Sequence, residues 1–215
     1  MTDGLILPPG AGKRIPGSGL TLKVGADQSR SWSMFEAEVP PGFDIGAHRH
    51  REAEEVFYIL DGELDLLAFE PRDATTEDWR TWQSPTGTTV ARGGPGSIMV
   101  VPPGCPHAFA NPGTVPVRML FLVAPPGHEY YLEEMADLLG GGAPPDQAAI
   151  AALRARHDIT QLTPMRPVRS LRLRTATYGP RRLGSASPAT ARPDVARPPT
   201  PQHADPVTAT LEPFR

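Results

Sequence analysis

The stretch GAHRHREAEEVFYILDG, residues 46–62, places two histidines one residue apart, His48 and His50, and follows them with Glu52, Glu54 and Glu55. In a strand, residues i and i+2 point to the same face about 6.6 Å apart, so two imidazoles at this spacing can converge on one ion with bonds of about 2.1 Å. A histidine pair alone is weak support for a metal, since such pairs also occur as ordinary polar residues at strand edges. Strand parity excludes Glu54 and Glu55 from pointing inward together. It does not choose between them, because Phe57 and Ile59 follow Glu55 in step while Val56, Tyr58 and Leu60 follow Glu54. Glu52 belongs to a solvated turn.

The wider spacing carries more information. Gly42, five residues, His48, one residue, His50, four residues, Glu55, six residues and Gly62 match the first motif of the cupin family. Gly96, five residues, Pro102, one residue, Gly104, two residues, His107, three residues and Asn111 match the second. The chain therefore resembles a single-domain cupin over about residues 35–124, and most closely one of the quercetin dioxygenase-like type. The resemblance implies an all-β fold, a cupin-type β-barrel (double-stranded β-helix or jelly roll), that gathers His48, His50, Glu55 and His107 inside it. The register with Gly62 selects Glu55 over Glu54.

Three neutral imidazoles and a carboxylate suit one divalent transition metal ion: Fe, Mn, Co, Ni or Zn. They do not suit calcium or magnesium, which take more oxygen ligands. Four protein ligands on an ion that accepts six leave positions for water, substrate or O2, which points to catalysis. The implied activity is that of a dioxygenase on a small aromatic or enolic molecule, with Glu55 both binding the ion and taking the substrate's proton. Isomerase, lyase or secondary-metabolite tailoring chemistry would use the same ligands, and a non-catalytic small-molecule-binding module is a further reading. The resemblance also implies a homodimer. Cys105, two residues before His107, is read as a small buried side chain. His128, His157 and His203 lie outside the motifs and are read as ordinary surface or helix residues.

The elements that must position these groups are legible as texture. Short apolar runs cut by Pro and Gly, among them SWSMFEAEVPPG, EVFYILDGELDLLAF and VRMLFLVAPPG, indicate many short strands. Asp61-Gly62 between two such runs predicts a β-hairpin with a type I′ turn. Phe57, Phe109, Met119 and Phe121 are expected in the barrel core, some of them lining a pocket. Residues 70–92 form a polar excursion that Trp79 and Trp82 are expected to pin to the barrel. Asn111 is expected to bond backbone in a turn.

Beyond the barrel, assigned to residues 1–127, a helical extension is expected over 128–163. Its first helix carries Tyr131, Met135, Leu138 and Leu139, and its second is capped by Asp146 with Ile150 and Leu153 on one stripe. Residues 164–215, rich in Pro, Ala, Thr and Arg, are expected to be disordered. The net charge of -3 and pI near 6.1 give no general attraction to nucleic acid. No apolar run approaches the roughly 20 residues of a membrane span. The opening MTDGLILPPG does not read as a secretory signal, and one cysteine excludes an internal disulfide, so a cytoplasmic setting is expected.

Overall fold

A β-sandwich closed into a barrel carries the motifs. The structure, a computed structural model, describes residues 4–140 and 146–166. One six-stranded antiparallel sheet contains β1 (Lys13–Ile15), β2 (Leu20–Val24), β3 (Ser33–Val39), β5 (Glu54–Asp61), β8 (Ile98–Val101) and β10 (Val117–Ala124), in the order β1-β2-β3-β10-β5-β8. The facing sheet contains β4 (His48–His50), β6 (Leu64–Ala68), β7 (Ala91–Gly93), β9 (His107–Ala110) and β11 (Ile159–Gln161), in the order β11-β4-β9-β6-β7. Two helices follow the barrel, α1 (His128–Gly140) and α2 (Gln147–Arg156), and Asp146 caps α2 by accepting from the Ala148 N–H at 2.9 Å. No helix among the described residues is long and apolar enough to cross a membrane. The expected disordered tail lies, from residue 167 onward, outside the described residues.

Alternation builds the main core. In β5, Glu55, Phe57 and Ile59 are buried while Glu54, Tyr58 and Leu60 are exposed, which gives the parity that the sequence pattern left open. Phe121 on the central strand β10 lies opposite Phe35 on one side and Phe57 on the other. Its ring stacks on both, at centroid distances of 5.4 and 4.8 Å.

The hairpin expected at Asp61-Gly62 does not form. β5 pairs with β10 and β8, β6 pairs with β7 and β9, and the chain crosses from one sheet to the other at Gly62. Gly62 has φ +82, but Asp61 lacks the positive φ that a type I′ turn needs. A side chain at Gly62 would also meet Val117 Cγ2 at 2.7 Å. A corner between packed sheets and a two-residue hairpin make the same local demand for glycine, so the local pattern could not separate them.

Residues 70–92 cover the outer face of the second sheet. Trp79 and Trp82, 1% and 3% exposed, pack with Ala47, Leu67, Ala108 and Ala110, so the excursion is pinned as expected. This layer buries β6 on both faces, and Asp65, placed by alternation on an outer face, is buried against Arg80 and Arg92 at 3.3 and 2.8 Å.

One element was not foreseen. The segment after α2, expected as part of a helical extension, returns to the barrel as β11 and pairs with β4: Ile159 opposite His50, Gln161 opposite His48.

Candidate metal centre

His48, His50, Glu55 and His107 come together as the motif spacing implies. One ligand atom from each lies within 4.8 Å of all the others, a span slightly wider than the about 4.2 Å across two opposed metal bonds of about 2.1 Å. The imidazole centroids are 4.2 Å apart for His48 and His107, 5.4 Å for His48 and His50, and 5.5 Å for His50 and His107. His48 and His107 are direct cross-strand partners of β4 and β9, while Glu55 projects from β5 on the opposite sheet. The site therefore needs the sandwich to close.

Backbone groups aim the rings. His48 Nδ1 lies 3.0 Å from the Gly46 carbonyl, and His107 Nδ1 lies 3.1 Å from the Cys105 carbonyl. A carbonyl only accepts, so each Nδ1 carries the hydrogen and each Nε2 presents a lone pair. Cys105 thus serves the site through its carbonyl oxygen. Its half-buried thiol is pushed up in pKa by burial and by Glu70, and is not one of the clustered donors.

The test of fit lies in what the donor atoms lack. His50 Nε2, His107 Nε2 and Glu55 Oε2 are fully buried and have no hydrogen-bond partner. Glu55 stands 2.8 Å from His107 Nε2 and 3.2 Å from His50 Nε2, yet these close pairs lack hydrogen-bond alignment. All three belong to the group whose donor atoms lie within 4.8 Å of one another. Leaving such groups buried and unsatisfied is costly, and a cation between them satisfies all at once. The residues fit a metal ion.

Electrostatics agree for His48 and Glu55. Burial lowers the pKa of His48 to about 3, with His107 adding to the effect, so this ring is neutral, as a ligand must be. Burial also opposes charge on Glu55 and on His50. For Glu55 the neighbouring His107 and His50 outweigh it and hold the carboxyl well below the usual range. For His50 the Glu55 carboxylate outweighs it and raises the ring.

Three further residues hold these strands. The Gly104 N–H donates to the His50 carbonyl at 2.6 Å, joining the two motifs. Gln161 Nε2 donates to the Thr163, Ile45 and Ala47 carbonyls at 2.8, 3.2 and 3.3 Å, tying β11 to the turn before His48. Asp44 accepts from the Gly46 N–H and from Trp79 Nε1, both at 2.9 Å, and from Arg80 at 2.9 Å. Gly46 itself admits no side chain, because a Cβ there would lie 2.6 Å from the Thr163 carbonyl.

A cavity of about 510 Å³ opens beside the cluster, bordered by His48 and Glu55 and walled by Phe57, Phe109, Phe121 and Tyr131. The three phenylalanines and Met119 expected in the core are all buried, and all border it. His128, read as an ordinary helix residue, also lines this cavity. Its ring is 5.9 Å from that of His50, and burial lowers its pKa to about 4. His157 sits in α2's C-cap against Glu134 at 2.9 Å, and His203 lies outside the described residues. Arg154 was also missed. The available signal was its place four residues after Ile150, inside an apolar stripe.

A family model, Cupin, matches residues 23–131, just over half of the chain. The chain belongs to the cupin family. This cupin is 33% identical over 98 residues to an uncharacterized protein of Methanocaldococcus jannaschii, a match covering 45% of this chain and 64% of that relative. Among solved structures it is similar to an uncharacterized protein with a double-stranded β-helix domain from Klebsiella pneumoniae, at 17% identity and TM-score 0.39, covering 54% of this cupin and 84% of that chain. It is also similar to the DMSP lyase DddQ from Ruegeria pomeroyi, at 24% identity and TM-score 0.36, covering 53% of this cupin and 54% of that chain.

Proposed function

We propose that this cupin holds one first-row divalent metal ion through His48, His50, Glu55 and His107 and acts as a dioxygenase on a small aromatic or enolic molecule. The observation that carries the metal reading is the trio of buried, unpartnered donor atoms on His50, Glu55 and His107. The aromatic walls of the adjoining cavity and the motif resemblance to quercetin dioxygenase-like cupins support the choice of substrate and reaction.

The bound ion would supply Lewis-acid and O2-binding chemistry. The chain supplies the rest. His50, Glu55 and His107 are almost wholly buried, while His48 is half-buried and borders the cavity, so a substrate oxygen approaches from the His48 side. Phe57, Phe109 and Phe121 exclude water and flank a planar ring. Glu55, ionised and facing the cavity, is placed to accept a proton from a substrate hydroxyl.

Oxygen consumption by metal-loaded protein over a panel of flavonols and other enols tests this reading. Consumption that stops in an Fe-, Mn-, Co-, Ni- and Zn-free preparation is the expected result. Metal-dependent turnover that proceeds equally well without O2 would replace it with an isomerase or lyase activity.

A further inference from the structure

We propose that Arg154 is an oxyanion-binding residue of the cavity and that the substrate is an amphipathic organic anion. This deepens the reading above, on which it rests for the reacting end of the molecule. The juxtaposition behind it is a guanidinium with an unpartnered buried Nε on the wall of the cavity that also reaches His48 and Glu55.

Arg154 reaches this position because α2 docks through Leu153 and Ile150. Leu153 packs with Tyr131 and Ile159, and the next residue along the helix falls on the edge of the buried stripe. The contrast with Arg156 is informative. Arg156 is exposed and pairs with Glu134 at 2.8 Å, whereas Arg154 has no ion pair among the described residues and buries Nε without a hydrogen-bond partner. A guanidinium is always charged, and its buried N–H groups are costly to leave unmade. Its planar fork matches a carboxylate or a phosphate in two parallel hydrogen bonds.

The other polar groups of the wall do not serve it. Glu55 faces His50 and His107. Gln161 spends its amide N–H groups on three backbone carbonyls. Glu38 is exposed and forms no ion pair among the described residues, so Arg154 has no carboxylate partner there. The cavity that the ligand cluster and Arg154 both border is walled largely by apolar and aromatic side chains, among them Phe57, Phe109, Phe121, Tyr131 and Leu132. A ligand matched to this cavity has an oxygen for the metal end, an unsaturated or aromatic body, and an oxyanion for Arg154.

The test is calorimetric titration of the full-length protein, metal-loaded and metal-free, with cinnamate, its neutral isostere cinnamamide, and phenyl phosphate. Wild-type protein is expected to bind at least one of the anions about tenfold or more tightly than cinnamamide in both metal states. Arg154→Gln should abolish that preference by weakening anion binding far more than cinnamamide binding, and Arg154→Lys should keep part of it. Whichever anion shows the larger Arg154-dependent preference identifies the carboxylate or the phosphate as the group recognised. Equal affinity for anion and amide in wild-type protein, absence of binding by all three, or a preference that survives in Arg154→Gln overturns the proposal. The metal-free arm separates the two readings: a charge preference there that depends on Arg154 stands even if the protein binds no metal.

Discussion

Glu55 Oε2 lies 2.8 Å from His107 Nε2, and neither atom has a hydrogen-bond partner. Two polar atoms this close, fully buried and misaligned, are arranged for a third body. Glu55→Gln keeps the size of the side chain and removes its charge. It should lower metal affinity at least about tenfold to a hundredfold, read by competition with a chromophoric chelator. Undiminished affinity would remove Glu55 from the ligand set.

Asp44 holds the turn before His48 to the excursion over residues 70–92, accepting from Gly46, Trp79 and Arg80 at once. Asp44→Ala leaves the buried Gly46 N–H and Trp79 Nε1 without an acceptor and removes one of the carboxylates that Arg80 bonds. A loss of about 2–4 kcal/mol is expected, seen in urea as a lower midpoint with an unchanged slope. A loss under about 0.5 kcal/mol would mean that the excursion is held by Trp79 and Trp82 packing alone.

Glu129 anchors α1 on the barrel, accepting from Ser33 Oγ and the Ala26 N–H at 2.6 Å and from the Gly127 N–H at 3.1 Å. Burial works to raise its pKa, but the hydrogen bonds from Ser33, Ala26 and Gly127 prevail and lower it below the usual 4.5. A carboxyl with a depressed folded-state pKa contributes stability above its unfolded value and loses that contribution as pH falls through the folded value. Glu129→Gln should therefore be less stable than wild type by a constant margin above about pH 5.5. The margin should narrow as pH drops below about 4.5. Denaturant midpoints across pH measure it, and a margin independent of pH would contradict the role given to this carboxylate.

The clustering of these four residues was legible because much of it follows spacing along single strands: His48 and His50 in β4, and Glu55 in β5, selected by its distance from Gly62. The strand-rich texture and the Asp146 cap were legible for the same reason, since each is a local pattern. What escaped depends on chain segments distant in sequence. The pattern around Gly62 could not reveal that β5 and β6 join opposite sheets, because the partners β10 and β9 lie far along the chain. The burial of Asp65 has no local signal, because the residues that cover it come from 79–82 and 92. His128 and Arg154 became cavity residues only when α1 and α2 folded back and β11 paired with β4.

The buried cluster is proposed to be a metal site. Elemental analysis of the purified full-length protein beside His48→Ala tests it most directly. One equivalent of a first-row divalent metal in wild type, lost in the folded variant, is the predicted result. Wild-type protein without metal after incubation with Fe, Mn, Co, Ni and Zn ions, or equal metal content in the two proteins, would contradict it.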